Sequence, residues 1–193
     1  MCGISVLINI KKQPVNESQL RAMTDKVSHR GPDDAGYFVD GNVALGHRRL
    51  SIIDLSQAGH QPMQRGDNWM VFNGEIYNYI ELRKIFKNLG HIFSSGSDTE
   101  VILHAYRQWG TQAFAKFNGM WAFALYDQVK NEIILCRDHF GIKPLYFVHN
   151  DDWFMAGSEI KQFTALESFK PVLNNKVAVN FLTRGWLNYS DET

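Results

Sequence analysis

A cysteine directly behind the initiator methionine, in Met1-Cys2-Gly3-Ile4, offers this chain its shortest route to covalent chemistry. Removal of Met1 would place a thiol and a free α-amine on one residue. An α-amine titrates at about 7.7–8.0 in model compounds, so an appreciable fraction is neutral at physiological pH. Cysteine is a strong nucleophile, limited mainly by how much thiolate is available. A terminal cysteine therefore carries nucleophile and base together, with no histidine borrowed from elsewhere in the fold. The plain alternative is a small residue that happens to follow the start codon, and the rest of the chain decides between the two.

Four polar islands abut strand-like segments: His29 to Asp33, His47 to Asp54, Asn73 to Asn78, and Ser95 to Asp98. Each has a structural reading on its own. Asn-Gly is a turn signal, Gly-Ser-Asp caps a helix, and arginine-rich strand ends are solvated. The seven histidines include no i, i+3 or i, i+4 pair, and the two cysteines are far apart, so no metal site is expected. No histidine stands in a motif that supports a Cys-His hydrolase. Cys136, inside Ile133-Ile134-Leu135-Cys136, reads as an inert thiol in a buried strand.

The chain has 193 residues, 45% hydrophobic and 21% charged, with 20 basic and 20 acidic side chains. Zero net charge removes any global attraction to nucleic acid or to an anionic membrane. No apolar stretch approaches a membrane span, no signal peptide is visible, and two cysteines make no disulfide framework. The expected setting is the reduced cytoplasm.

The elements that must position the chemistry follow from periodicity. Ile4–Ile10 reads as a buried strand, residues 16–28 as a helix, and Tyr37–Val39 with Val43–Leu45 as a hairpin through Asp40-Gly41-Asn42. Leu50–Leu55 and Trp69–Phe72 read as strands, with Asn73-Gly74 as a turn. Asn78 with Glu81 fits a capping box for a helix ending at Gly90. Ser97 or Asp98 opens the next helix, which ends at Gly110, and a short one follows at 112–117. Residues 120–126, 132–137, 145–148 and 153–156 form a four-strand meander signature. A short helix at 159–166, then one capped by Asn174 and a polar tail, complete an α+β pattern.

Taken together, Met1-Cys2-Gly3-Ile4, His29 to Asp33, Arg49 to Asp54, Asn73 to Tyr77, Gly96-Ser97-Asp98 and Arg137 to Tyr146 resemble the class II glutamine amidotransferases. These are N-terminal-nucleophile glutaminase domains, and the closest likeness is to the glutaminase half of glutamine-hydrolysing asparagine synthetases. The motifs run in family order over residues 2–165.

The resemblance implies a four-layer αββα sandwich of two mainly antiparallel sheets. It implies Cys2 as nucleophile, its amine as base, and Asn73 with the Gly74 N–H as oxyanion hole. It implies L-glutamine as substrate, with Arg49 on the α-carboxylate, Glu75 and Asp98 on the α-ammonium, and Leu50, Ile52 and Ile53 along the pocket wall. Residues 29–33 and 137–146 are assigned to loop architecture. No cofactor is expected for this domain, taken as residues 1–171.

Residues 172–193 read as the start of a segment toward a C-terminal synthetase domain that would use ATP and Mg, most simply to aminate aspartate. No Ser-Gly-Gly-x-Asp-Ser-like or Gly-x-x-x-x-Gly-Lys loop lies in the chain itself. Sugars, antibiotics and peptides are other acceptors in such relatives, and a homodimer is one possible assembly. A non-catalytic glutamine-binding module is the rival reading, since with Met1 in place the amine is an amide and no base exists.

Overall fold

Along Gly3–Asn9 (β1) the side chains alternate between two apolar environments. Ile4 and Val6 join Val43, Leu45, Val71, Ala122 and Ala124 in one cluster. Leu7 joins Leu20, Met23, Met155 and Phe163 in another. A strand covered on both faces needs no polar alternation, so it reads as one apolar run. β1 is also hydrogen-bonded on both edges, to Val43–Arg49 (β3) and Trp153–Gly157 (β9).

The computed structural model describes residues 1–185. Between β1 and β3 lie Glu17–Asp25 (α1) and Asp34–Asp40 (β2); after β3 come Met63–Arg65 (β4), Asn68–Ile76 (β5), Tyr79–Asn88 (α2) and Asp98–Trp109 (α3). Gly119–Asp127 (β6), Glu132–Arg137 (β7) and Tyr146–His149 (β8) precede β9, and Asn175–Arg184 (α4) follows it. One sheet has the order β2-β3-β1-β9-β8, the other β4-β5-β6-β7, and every pairing is antiparallel.

Three apolar clusters separate four layers. α1 and the turn at 160–165 cover the outer face of the first sheet. α2 and α3 cover the second, against Phe72, Trp121, Phe123 and Leu125. The middle cluster lies between the sheets, where Ala122 and Ala124 keep β6 thin enough for close approach. The αββα sandwich is therefore present. No helix among the described residues is long and apolar enough to cross a membrane.

Four local expectations need correction. Residues 50–55 form a loop, because their backbone groups serve neighbouring side chains: Leu50 N–H meets Cys2 Sγ, Ser51 N–H donates to Asp33, and Asp54 and Ser56 carbonyls accept from Arg49. Asn73-Gly74 lies inside β5 and is no turn, since β6 pairs with β5 through Ile76. The four late strands do not form one meander; β6 and β7 belong to one sheet, β8 and β9 to the other. Asn78 makes no capping box, because its amide bridges Lys116 O and Asn118 N–H. Capping boxes stand instead at Asn16 with Gln19 and at Glu159 with Gln162. Ser97 caps α3, and Asn174 caps α4 as expected. The polar tail at 186–193 lies outside the described residues.

His47 and His104 are almost fully buried, and burial holds each neutral, lowered to about 4. As pH falls from 6.5 toward 4 the unfolded chain takes up two protons that the folded chain refuses, so stability falls. Asp98, raised by burial to about 6, acts with the opposite sign and offsets one of them. The net expectation is a loss of about 1.4 kcal/mol per pH unit between pH 6 and about 4.5. Denaturant titrations at pH 7 and 4.5 measure it, and equal or greater stability at pH 4.5 contradicts it.

Candidate active site

The cysteine at the chain start is tied down by its neighbours. Arg30 Nε donates to the Cys2 carbonyl at 2.9 Å, and Ile4 N–H donates to Ser158 Oγ at 3.0 Å. Gln162 Nε2 reaches Ile4 O at 3.0 Å and Ser5 Oγ at 2.7 Å. Arg30 is itself held by Glu159 at 3.2 Å, and the same carboxylate meets His29 and Lys161. Burial works against the Glu159 charge, but hydrogen bonds from Lys161, Arg30 and His29 outweigh it and hold the group at about 2. Gly31 passes so close to Arg48 that a Cβ would lie 2.3 Å from its carbonyl carbon. Residues 29–33 thus fasten the end of the chain.

The site follows from the two-residue period of strands. Val43, Leu45, His47 and Arg49 share one face of β3; Trp69, Val71, Asn73 and Glu75 share one face of β5. Ile4 and Val6 face the middle layer on β1, and Cys2 continues their parity. Met120 does the same ahead of Ala122 and Ala124 on β6. The stripes of β1, β3 and β5 are apolar in the middle and change chemistry at the same end of the sandwich, where β6 contributes Met120. There the inter-sheet layer opens into a cavity of about 240 Å³.

All nine residues expected from the sequence line this cavity: Cys2, Arg49, Leu50, Ile52, Ile53, Asn73, Gly74, Glu75 and Asp98. Gln61, Thr99, Met120 and Lys143 also line it and were not anticipated. No histidine does, which removes a Cys-His pair as the source of chemistry. Among the described residues no cluster of His, Cys, Asp and Glu is arranged to hold a metal ion.

The Cys2 thiol faces the Leu50 peptide, with Leu50 N–H 3.4 Å from Sγ and Leu50 O at 3.6 Å. Burial pushes the thiol up, and the Leu50 N–H only partly pulls it back. The resting form is therefore the neutral thiol, which needs a base beside it to attack. Cys136 is half-buried rather than fully so, and receives the Trp121 indole N–H at 3.3 Å.

The edge of β5 away from β6 explains the polar groups opposite. Phe72 N–H donates to Gln61 Oε1 at 2.7 Å, the Phe72 carbonyl accepts from His47 Nε2 at 3.0 Å, and Ile76 N–H donates to Asp98 at 2.9 Å. Peptides two apart in a strand point the same way, so the Gly74 peptide lies on this edge between two that are occupied. β4 pairs only with residues 68–70 and leaves the edge open there. Asn73 is 1% exposed, and its Nδ2 has no protein partner. A buried unpaired donor costs about 1–3 kcal/mol. Among the described residues other buried side-chain atoms also lack a partner, but of their residues Asn73 is the one that lines the cavity, where a ligand can supply the acceptor.

Charge is arranged around these donors. The Arg49 guanidinium spends one N–H on Ser56 O at 3.0 Å and another on Asp54 O, leaving three of its five donors. Asp54 in turn accepts from Gly96 N–H at 2.8 Å, joining the loop at 50–59 to the start of α3. Asp98 is raised to about 6, chiefly by burial and further by Glu75. Two neighbouring carboxylates make a cation between them favourable. Asp138 organises the loop before Lys143, accepting from the N–H groups of Phe140, Ile142 and Lys143.

A two-sheet αββα sandwich with a cysteine leading into its central strand is the architecture of N-terminal-nucleophile hydrolases of the amidotransferase type. Glutamine phosphoribosylpyrophosphate amidotransferase of B. subtilis has the same fold, with a TM-score of 0.73 over 85% of this chain and 43% of that one, at 22% identity. The model of the glutamine amidotransferase domain matches residues 1–192, and the chain belongs to that family. It is a class II glutamine amidotransferase domain. Glutamine-hydrolysing asparagine synthetase 3 of Bacillus subtilis (strain 168) is 41% identical over 175 residues, 88% of this chain and 28% of that protein. A putative glutamine-hydrolysing asparagine synthetase 2 of Methanocaldococcus jannaschii is 40% identical over 200 residues, 93% of this chain and 38% of that protein. The chain thus spans well under half the length of these relatives.

Gly74 sits where a Cβ would lie 2.3 Å from Met120 O and 2.7 Å from Trp121 Cα. Gly74→Ala must therefore push β5 from β6, at a cost of about 1–3 kcal/mol. A lowered thermal midpoint is expected, and an unchanged one contradicts this placement.

Proposed function

We propose that the chain hydrolyses the side-chain amide of L-glutamine through a Cys2 thioester. The observation that carries this reading is the unpaired Asn73 Nδ2 and the open Gly74 edge, lining one cavity with the Cys2 thiol. The α-amine of a Met1-processed Cys2 takes the thiol proton as Sγ attacks the amide carbon. The oxygen becomes an oxyanion between Asn73 Nδ2 and Gly74 N–H, neutral donors that favour developing charge over the ground state. The C–N bond then breaks, and the amine returns the proton to the departing ammonia. Water cleaves the thioester, one of its hydrogens restoring the thiol, and glutamate leaves.

The remaining Arg49 N–H groups receive the α-carboxylate, while Glu75 and Asp98 receive the α-ammonium. Leu50, Ile52 and Ile53 wall the aliphatic stem. At about 240 Å³ the cavity is smaller than the roughly 300–1,000 Å³ of sites for drug-sized ligands. That size suits one free amino acid, and the charges around it select against a glutamine within a protein. The domain reaction needs no cofactor.

In the longer protein suggested by the relatives' names, the ammonia passes to a C-terminal synthetase domain that uses ATP and Mg to amidate aspartate. The boundary is placed at residue 171 and the setting is the cytoplasm.

The test is glutamate release from glutamine by Met1-processed protein. Cys2→Ala should lower it by at least about 10²-fold with the fold intact. Asp98 is charged above about 6 and neutral below. Wild-type kcat/KM should therefore steepen its decline below pH 6, where Asp98 joins the α-amine in taking up a proton. Asp98→Asn should lack that second step. An active Cys2→Ala, or an unaltered profile in Asp98→Asn, overturns the corresponding assignment.

A further inference from the structure

The two donors proposed for the oxyanion belong to consecutive residues of β5, so whatever fixes the peptide just before them fixes both. That peptide is Phe72. It lies on the open edge of β5, beyond the reach of β4, where no neighbouring strand holds it. Two side chains from separate elements take the place of a strand. Gln61, in the loop before β4, accepts the Phe72 N–H at 2.7 Å. His47, from β3 of the opposite sheet, donates Nε2–H to the Phe72 carbonyl at 3.0 Å.

Both side chains are themselves constrained. His47 is 0% exposed within the inter-sheet layer, and burial keeps it neutral, with one N–H to give and no charge to lose in the working range. Gln61 is 6% exposed, and its Nε2 donates to Thr99 Oγ1 at 3.2 Å. Thr99 adjoins Asp98, whose carboxylate holds Ile76 N–H on the same strand edge. The edge is thus clamped at Phe72 and at Ile76, on either side of Gly74.

The consequence is selective. A β4 long enough to pair along this whole edge would satisfy Phe72, Gly74 and Ile76 alike and close the Gly74 N–H to a ligand. Side chains satisfy the outer two and leave the middle one open.

We propose that His47 and Gln61 are positioning residues for glutamine hydrolysis, clamping the Phe72 peptide so that Asn73 Nδ2 and Gly74 N–H converge on the oxyanion. The proposal rests on the glutaminase reading. Neither residue needs to touch the substrate. A shift of the donors weakens a bond that matters most in the transition state, so the effect belongs in kcat.

The test uses Met1-processed full chain, with active sites counted by stoichiometric labelling of Cys2 with a γ-diazoketone analogue of glutamine. His47→Leu and Gln61→Met should each lower kcat per labelled site by about tenfold or more, with KM within about twofold. His47→Gln, which retains a donor, and Gln61→Glu, which retains the acceptor, should recover most of the loss. If His47→Leu does not fold, Gln61→Met decides by the same measure. Unchanged kcat per labelled site beside a lowered thermal midpoint would show a merely structural role and overturn the proposal. Wild-type protein that neither releases glutamate nor takes the label would overturn the glutaminase reading first, and the positioning roles with it.

Discussion

Everything at this site depends on β1 being a central strand from its first residues. Hydrogen bonding on both edges, to β3 and to β9, fixes which side of the strand each side chain occupies. Cys2 then has no freedom to face the helices, because Ile4 and Val6 already commit its parity to the middle layer. A shift of one residue in that register would turn the thiol away from Arg49 and Asn73 altogether. Chain ends normally fray; here Arg30, Ser158 and Gln162 oppose that within the first five residues.

Electrostatics and burial then divide the labour. The same enclosure that strengthens polar interactions in the cavity disfavours the Cys2 thiolate and raises Asp98. A buried neutral thiol with no histidine beside it has to find its base nearby. The only titratable group carried on the same residue is the α-amine that exposure of Cys2 as the chain terminus would create. Under the proposed mechanism, burial of the thiol makes removal of Met1 a requirement for attack.

Much of this was legible before any coordinates. The motif order points to the family and the sandwich, but the strand expected over Val43–Leu45 runs on to Arg49, and its buried face turning polar at His47 and Arg49 was not anticipated. Leu50–Leu55 misled because Ile52 and Ile53 look like strand residues, whereas Ile52 is 69% exposed and the local backbone serves Cys2, Asp33 and Arg49. Asn73-Gly74 misled for a related reason. Asn-Gly is a turn signal only when no strand continues past it, and β6 continues past it here. Gln61 and Thr99 carried no local signal, since their importance arises from the open edge of β5, a property of pairing between distant segments. The Arg49, Asn73, Glu75 and Asp98 set could be named from motifs, but its meeting at one end of the inter-sheet layer required the register of both sheets.

The central claim is that Cys2 acts as a chain terminus and not merely as a cysteine. It is tested most directly by comparing two preparations of the same chain, one with Met1 removed and one retaining it, each verified by intact mass. Glutamate release from glutamine is then measured on both at equal concentration of folded protein. The account predicts turnover in the processed form and its loss, by at least about 10²-fold, in the form whose Cys2 nitrogen remains an amide. Equal turnover in the two would contradict it.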